Sequence, residues 1–288
     1  MCSVRPLYDD VARAAGILAG RRVLVLSGAG LSTDSGIPDY RGPGSPRRTP
    51  MSLSEFLSSE AARRRYWARS HAGWRRMTAA RPNAGHRAIA AMEVSGAVAA
   101  VVTQNVDGLH EKAGSTEVVD LHGRLDRVRC LDCGQVTARH TLQRRLAGLN
   151  PGFLEAVTGR LAPDGDVMLD DVDGFRIAGC ARCRGTLKPD VVFFGENVPR
   201  PRVDRCFALV EDSEAVLVTG SSLTVLSGFR FARHAVCRGI PLVIVNRGPT
   251  RADDICTLKL DRGCSETLTL LERRLASALP GRAEASAR

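Results

Sequence analysis

The sequence predicts an α/β protein, a parallel, doubly wound sheet that carries a smaller inserted module. Three observations point there. Four short apolar runs each end in small or polar residues, helix-like text separates them, and two segments of different character interrupt the series.

The first run is Val23-Leu24-Val25-Leu26-Ser27, leading into Gly28-Ala29-Gly30 after helix-like text over 9–20. The others are 98–102 ending in Thr103-Gln104-Asn105, 215–218 ending in Thr219-Gly220-Ser221-Ser222, and 242–245 ending in Asn246-Arg247-Gly248. Runs this short, apolar on every residue and rich in β-branched side chains, read as strands buried on both faces. In open α/β sheets ligands bind at the carboxyl ends of the strands, where these four polar tails fall. The interruptions are 45–82, with Pro46, Pro50, many arginines, Trp67 and Trp74, and 126–184, which holds paired cysteines and a Gly/Pro/Asp-rich stretch. The main domain is accordingly expected over 1–44, 83–125 and 185–288. A helical insertion at 45–82 and a cysteine insertion at 126–184 together form the small one. No internal repeat is visible, and the small, polar tail from Gly281 is expected to fray.

Composition narrows the class. At 288 residues, 44% hydrophobic and 25% charged, the chain resembles an ordinary globular protein. It has no stretch of 18 uncharged apolar residues and no apolar signal core at its start, and Asp9 and Asp10 come early for a transit peptide, so a cytoplasmic location is expected. The net charge of +10 is almost all arginine, the lysines being Lys112, Lys188 and Lys259. Without a basic cluster interleaved with aromatics, a solvated surface is the better reading than a nucleic-acid face. Nine cysteines without an export signal argue against a disulfide scaffold.

Two CxxC pairs, Cys130/Cys133 and Cys180/Cys183, have the spacing of a four-thiolate tetrahedral zinc site. Gly134, Gly179 and Gly185 flank them, suited to tight knuckles. Four sulfurs close the coordination sphere, so the metal is expected to be structural, and the 46 residues between the pairs imply a looped insert. The glycine turn Gly28-Ala29-Gly30-Leu31-Ser32 can hold a pyrophosphate on its amides. It is not a full GxGxxG, since Thr33 stands at the third glycine's place, and no acidic residue closes a second strand. Gly220-Ser221-Ser222 and Asn246-Arg247-Gly248 add amide-rich turns at further strand ends. His122, before Gly123 and near both a strand end and the first cysteine pair, is a candidate general base, although a lone histidine is more often structural.

Together these blocks resemble the sirtuin family: GAGLSTDSGIPDYR over 28–41, TQNVDGLH over 103–110, LHG over 121–123, the two CxxC pairs and KPDVVFFGE over 188–196, in family order. The finer resemblance is to class II sirtuins, which include the mitochondrial lipoamidase and ADP-ribosyltransferase type of animals. It rests on YWAR at 66–69, RVRCLDCG at 127–134, LAPDGD at 161–166, GSSL at 220–223 with Ser227-Gly228, and GPTRAD at 248–253. PNAGH at 82–86 resembles the class III desuccinylases. Their acid-gripping Tyr-x-x-Arg falls here on Ser70 and Gly73, with Tyr66 and Arg69 out of register, which argues against a succinyl preference.

The resemblance implies a Rossmann-like NAD-binding domain with an inserted zinc ribbon and helical module. It implies an NAD-dependent protein-lysine deacylase working on acyl-lysine proteins or peptides. The acyl oxygen attacks C1′ of the nicotinamide ribose, nicotinamide leaves, His122 deprotonates a ribose hydroxyl, and the products are free lysine and O-acyl-ADP-ribose. Such a cationic centre needs a closed, water-poor site. By position, Gly28, Ala29, Gly30 and Ser32 line the phosphates, and Asp39, Tyr40 and Arg41 lie on the loop over NAD. Gln104, Asn105, Val106 and Asp107 meet the nicotinamide ribose and carboxamide, with Asn105 and Asp107 beside His122 in catalysis. Gly220, Ser221, Ser222, Asn246, Arg247, Gly248 and Cys264 meet the adenosine end. Val192, Phe193, Phe194 and Gly195 flank the acyl-lysine tunnel, which the insert between the cysteine pairs helps to shape. Mono-ADP-ribosyl transfer from the same site and NAD sensing without catalysis remain the alternatives.

Overall fold

The computed structural model describes residues 5–42, 50–156, 162–167, 169 and 172–278. Pro46, the 44/45 boundary, Leu161 and the tail from Gly281 lie outside them. In chain order the helices are α1 (Arg5–Leu18), α2 (Leu53–Ser58), α3 (Glu60–Ala79), α4 (Ala84–Val94), α5 (Leu109–Ala113), α6 (Arg139–Leu149), α7 (Phe153–Ala156), α8 (Arg200–Glu211), α9 (Leu226–Cys237) and α10 (Cys264–Ala278). The strands are β1 (Val23–Ser27), β2 (Val98–Thr103), β3 (Val118–Asp120), β4 (Gly123–Cys130), β5 (Val136–Ala138), β6 (Leu187–Val191), β7 (Ala215–Thr219), β8 (Leu242–Val245) and β9 (Leu258–Leu260).

Six strands form a parallel sheet in the order β3-β2-β1-β7-β8-β9. Successive side chains of a strand point to opposite faces, so an all-apolar run feeds two cores. Val23 and Val25 pack with Val11, Leu18, Ile89, Leu268 and Leu271 from α1, α4 and α10. Leu24 and Leu26 pack with Val210, Phe231 and Ala235 from α8 and α9 on the other face. Each buried leucine or valine contributes about 1.5–3 kcal/mol relative to exposure, which makes the sheet the rigid platform of the molecule.

A second sheet, β5-β4-β6, is antiparallel. It runs from Gly123 to Val191, past the 126–184 segment at both ends. Phe56, Tyr66 and Trp67 of the helical insertion share one apolar cluster with Val128, Leu142, Leu146 and Leu187. The Trp67 indole N–H donates to the Leu187 carbonyl at 3.1 Å, and the buried Arg139 guanidinium lies 5.3 Å and 4.9 Å from the Trp67 and Trp74 rings. Among the described residues no helix is long and apolar enough to cross a membrane.

The strand ends of β1 and β7 approach so closely that side chains cannot fit between them. Gly220 has φ +60°, and a Cβ there would lie 2.1 Å from the Leu31 nitrogen. Gly220→Ala is expected to lower unfolding free energy by about 3 kcal/mol or more. By contrast, nothing lies within 4 Å of a Cβ built at Gly148 in α6, so Gly148→Ala is expected to add about 0.5 kcal/mol. Denaturant melts of the two variants check both signs.

Candidate active site and metal centre

The carboxyl ends of β1, β2, β7 and β8 open into one cavity of about 970 Å³ that continues toward the small module. It lies at the upper end of the size range of small-molecule sites. Gly28, Ala29, Gly30 and Ser32 line it from the first strand end, and Gln104, Asn105, Val106 and Asp107 from the second. Gly220, Ser221, Ser222, Asn246, Arg247 and Gly248 line it from the third and fourth, and Asp39, Tyr40 and Arg41 from the loop above. The loops are cross-braced. Gly30 N–H donates to the Gly220 carbonyl at 2.8 Å. Gln104 Nε2 donates to Ser221 Oγ at 2.8 Å. Asn105 Nδ2 donates to the Gly28 carbonyl at 3.0 Å and to Ser32 Oγ at 3.1 Å. Ser32 Oγ donates to Asp107 Oδ2 at 2.7 Å, while Asp107 Oδ1 accepts the Leu109 N–H at 2.9 Å. Burial pushes the Asp107 carboxyl above its ordinary value, opposed by those two donors.

His122 follows β3 and precedes β4, where the two sheets meet. Its Nδ1 lies 3.0 Å from the Gln104 carbonyl and its Nε2 2.7 Å from Ser227 Oγ. A carbonyl only accepts, so Nδ1 carries the proton and Nε2 keeps its lone pair. The imidazole pKa is lowered to about 4, chiefly by burial and further by Arg202 and Arg230, the Gln104 carbonyl acting the other way. The ring is therefore a neutral base at physiological pH. Its backbone carbonyl accepts the Val192 N–H at 2.8 Å, which ties the base to the loop carrying Phe193 and Phe194.

That loop forms the far wall of the cavity with Val192, Phe193, Phe194 and Gly195. Buried Lys188 pairs with Glu196 at 3.0 Å, and Glu196 Oε2 also accepts the Phe193 N–H at 2.8 Å. Phe193 packs edge-on against Phe56, 5.2 Å away, and tilted against Tyr66 at 5.3 Å. The Tyr40 ring stands 6.3 Å from Phe194, joining the loop over the strand ends to the opposite wall.

Cys264 alone among the expected contacts stands off the cavity wall. It is buried at the start of α10, its Sγ 3.7 Å from the Val245 carbonyl, and its thiol is pushed up to about 11 mainly by burial. Tyr66, Ser227 and Arg230 line the cavity without having been singled out as site residues. In sequence Ser227 belongs only to the Ser227-Gly228 motif, and its partner His122 lies 105 residues away.

Cys130, Cys133, Cys180 and Cys183 present four sulfurs all within 4.8 Å of one another. The Cys130–Cys183 and Cys133–Cys180 pairs are 3.5 Å and 3.8 Å apart. Zinc bonded to four sulfurs at about 2.3 Å spaces them by about 3.8 Å, so the donor set and its spacing fit that ion. The two knuckles repeat one pattern. Gly134 and Arg184 donate to the carbonyls of Cys130 and Cys180, whose own N–H groups bond the Gln135 and Gly185 carbonyls. The left-handed residue of the second knuckle is Arg184, φ 66°, not a glycine. Gly185 serves close approach instead, since a Cβ there would lie 2.1 Å from Asp132 Oδ2.

Fold and site thus define an α/β protein with an extended ligand cavity at its strand ends and a closed four-cysteine metal centre. The Sir2 family model matches residues 28–227. NAD-dependent protein deacetylase 1 of Mycobacterium avium (strain 104) is 56% identical over 92% of this chain and 95% of its own. NAD-dependent protein lipoamidase sirtuin-4, mitochondrial, of Bos taurus is 46% identical over 90% of this chain and 84% of its own. A solved Sir2 chain described with p53 peptide and NAD+ superposes with a TM-score of 0.71 at 31% identity, covering 92% of this chain and 96% of that one. The chain belongs to the Sir2 family.

One zinc per chain is expected by metal analysis, and Cys130→Ser is expected to release it and lower the melting temperature, because structural zinc contributes its binding energy to folding. A second expectation concerns acid. His71, His110 and His122 have pKa values lowered to about 4, and His86 to about 3, each mainly by burial. Unfolded histidine titrates near 6.5. Stability from these groups is thus full above about 6.5 and is lost as pH falls toward 4, the protons taken up by four unfolded histidines being offset in part by the one that Asp120, raised to about 7 mainly by burial, keeps in the folded chain. Unfolding free energy measured from pH 7.5 to 5 should drop steeply; a flat profile would mean that the native histidines are already charged.

Proposed function

We propose that the chain is an NAD-dependent protein-lysine deacylase that moves the acyl group from a lysine side chain to ADP-ribose and releases nicotinamide. The observation that carries this is the continuity of one cavity from the amide-rich strand ends, past the neutral His122, to the aromatic wall of Tyr66, Phe193 and Phe194. The relatives' names as deacetylases and a lipoamidase support it.

The residues divide the work as follows. The turns over 28–32 and 220–222 line the phosphate end. The Gly28, Gly30 and Gly220 amides are bonded to the Thr219, Gly220 and Val245 carbonyls, so the phosphates are met by other groups of these turns, such as the Ala29 amide. Asn105 and Asp107, braced through Ser32, offer an amide and a carboxyl to the nicotinamide end. Bound NAD supplies an electrophilic ribose carbon and, after nicotinamide leaves, the acceptor for the acyl group. His122 Nε2 takes the proton from the ribose hydroxyl. Tyr40 and Phe194 close the space between the two ends, which keeps bulk water from the reacting carbon.

An uncharged acyl group is the better fit. Position 73, where class III relatives would carry arginine, is a helical glycine against which the Gly165 carbonyl packs, 1.9 Å from where a Cβ would stand. Ser70 is buried, and the Arg69 guanidinium is turned to the Leu169 carbonyl at 3.3 Å. The wall is left to aromatic rings.

The test is nicotinamide release from NAD with lysine peptides bearing acetyl, longer fatty, lipoyl and branched acidic acyl groups. Uncharged acyl peptides should stimulate release and lose their acyl group. His122→Ala should lower product formation by about 10²–10⁴-fold while NAD still binds. Gain of an ADP-ribosyl unit on an added protein, with no acyl peptide consumed, would replace deacylation by mono-ADP-ribosyl transfer.

A further inference from the structure

The first turn of α9 grips both ends of the His122 hydrogen-bond frame. Ser227 Oγ lies 2.7 Å from Nε2, the nitrogen that carries the lone pair. The next residue, Gly228, lies against the Gln104 side chain: a Cβ there would be 2.4 Å from Gln104 Oε1. Gln104 in turn supplies the carbonyl that holds Nδ1–H and donates its Nε2 to the Ser27 carbonyl at 3.2 Å and to Ser221 Oγ at 2.8 Å. One dipeptide therefore touches the base nitrogen directly and the opposite nitrogen through the residue that fixes its tautomer. Both Ser227 and His122 line the cavity, and α9 is anchored by Phe231, Ala232 and Ala235 in the core beneath the sheet. The charged groups acting on the ring are Arg202 and Arg230, both of which disfavour its protonated form.

We propose that Ser227, seated by Gly228, is the positioning residue for the base: its hydroxyl aims the His122 lone pair into the cavity and stabilises the proton that arrives there. This rests on the deacylase reading. Before reaction the Ser227 O–H donates to Nε2, because the Nδ1 proton belongs to the Gln104 carbonyl. A ribose hydroxyl that engages Nε2 displaces that donor. The base takes the hydroxyl proton, the ribose oxygen keeps the electron pair, and the new Nε2–H of the imidazolium donates back to the lone pair of Ser227 Oγ. A hydrogen bond to a charged donor is about twice as strong as a neutral one. The hydroxyl therefore favours the protonated ring and opposes the two arginines at the moment of proton transfer.

The experiment compares wild type, Ser227→Ala, Ser227→Thr and His122→Ala, with metal content and melting temperature confirming a folded chain. In NAD-free protein, the nitrogen resonances of His122 are read by NMR. In Ser227→Ala the Nε2 signal should move toward that of an unbonded lone pair while Nδ1 stays protonated, and Ser227→Thr should restore it. With NAD and an acyl peptide, Ser227→Ala should lower kcat about tenfold or more with KM for NAD unchanged, and Ser227→Thr should recover most of it. An unchanged Nε2 resonance, or wild-type kcat in Ser227→Ala, overturns the proposal. Equal loss of NAD affinity and kcat in Ser227→Ala also overturns it, by showing a merely structural role. Full activity of His122→Ala would overturn His122 as the base and the proposal with it, whereas no acyl-peptide-dependent nicotinamide release by the wild type would overturn the deacylase reading itself, so the two failures are distinct.

Discussion

The rest of the site depends on the closeness of two backbone turns. At the ends of β1 and β7 the chain comes so near itself that Gly30 N–H meets the Gly220 carbonyl at 2.8 Å, and a Cβ on Gly28 would lie 2.7 Å from the Ser221 Cβ. With no side chains between them, the two turns lie side by side along the cavity wall and spend the Gly28, Gly30 and Gly220 amides on holding each other and the strand ends. Gln104 and Asn105 then reach across to the same turns through their amides. A polar loop cluster is in this way hydrogen-bonded across the strand ends.

The same economy governs charge. Burial lowers the pKa values of His86, His110 and His122, and among the described residues the charged groups acting on His122 are Arg202 and Arg230. The Gln104 carbonyl fixes which nitrogen carries the proton, a role that requires only a neutral acceptor and so does not make the ring charged in advance. The ion pair of Lys188 with Glu196 is structural: it pins the turn that holds Phe193 at the aromatic wall of the cavity.

The four central strands were legible because each is apolar on both faces and ends in a glycine or polar turn. The edge strands β3 and β9 were not, being three residues each, too short for a pattern to exceed chance. β6 was hidden for another reason, since Lys188 and Pro189 contradict a strand pattern until the Glu196 pairing and the edge position are known. The four cysteines were legible from spacing, yet Arg184 in the left-handed position of the second knuckle was not, because only the backbone reveals it. His122 gained meaning from its neighbours. Taken alone it carried little signal, and its contact with Ser227 joins residues that no local pattern connects. Cys264 followed from likeness of motif; its thiol is buried 3.7 Å from the Val245 carbonyl and is not part of the cavity lining.

The antiparallel sheet has a mechanical consequence. β4 leaves directly from His122 and ends at Cys130, while β6 starts near Cys183 and ends just before Val192. β4 pairs with β6 from Gly123 opposite Val191 to Cys130 opposite Leu187, with a register shift between Arg124 and Val128, so the four sulfurs sit at the far end of the paired strands from His122. A zinc held by four thiolates has no open coordination position for chemistry. It clamps the two strands at one end, while at the other the His122 carbonyl accepts the Val192 N–H at 2.8 Å, so the segment carrying His122 and the segment leading to Phe193 are held together at both ends of the strand pair.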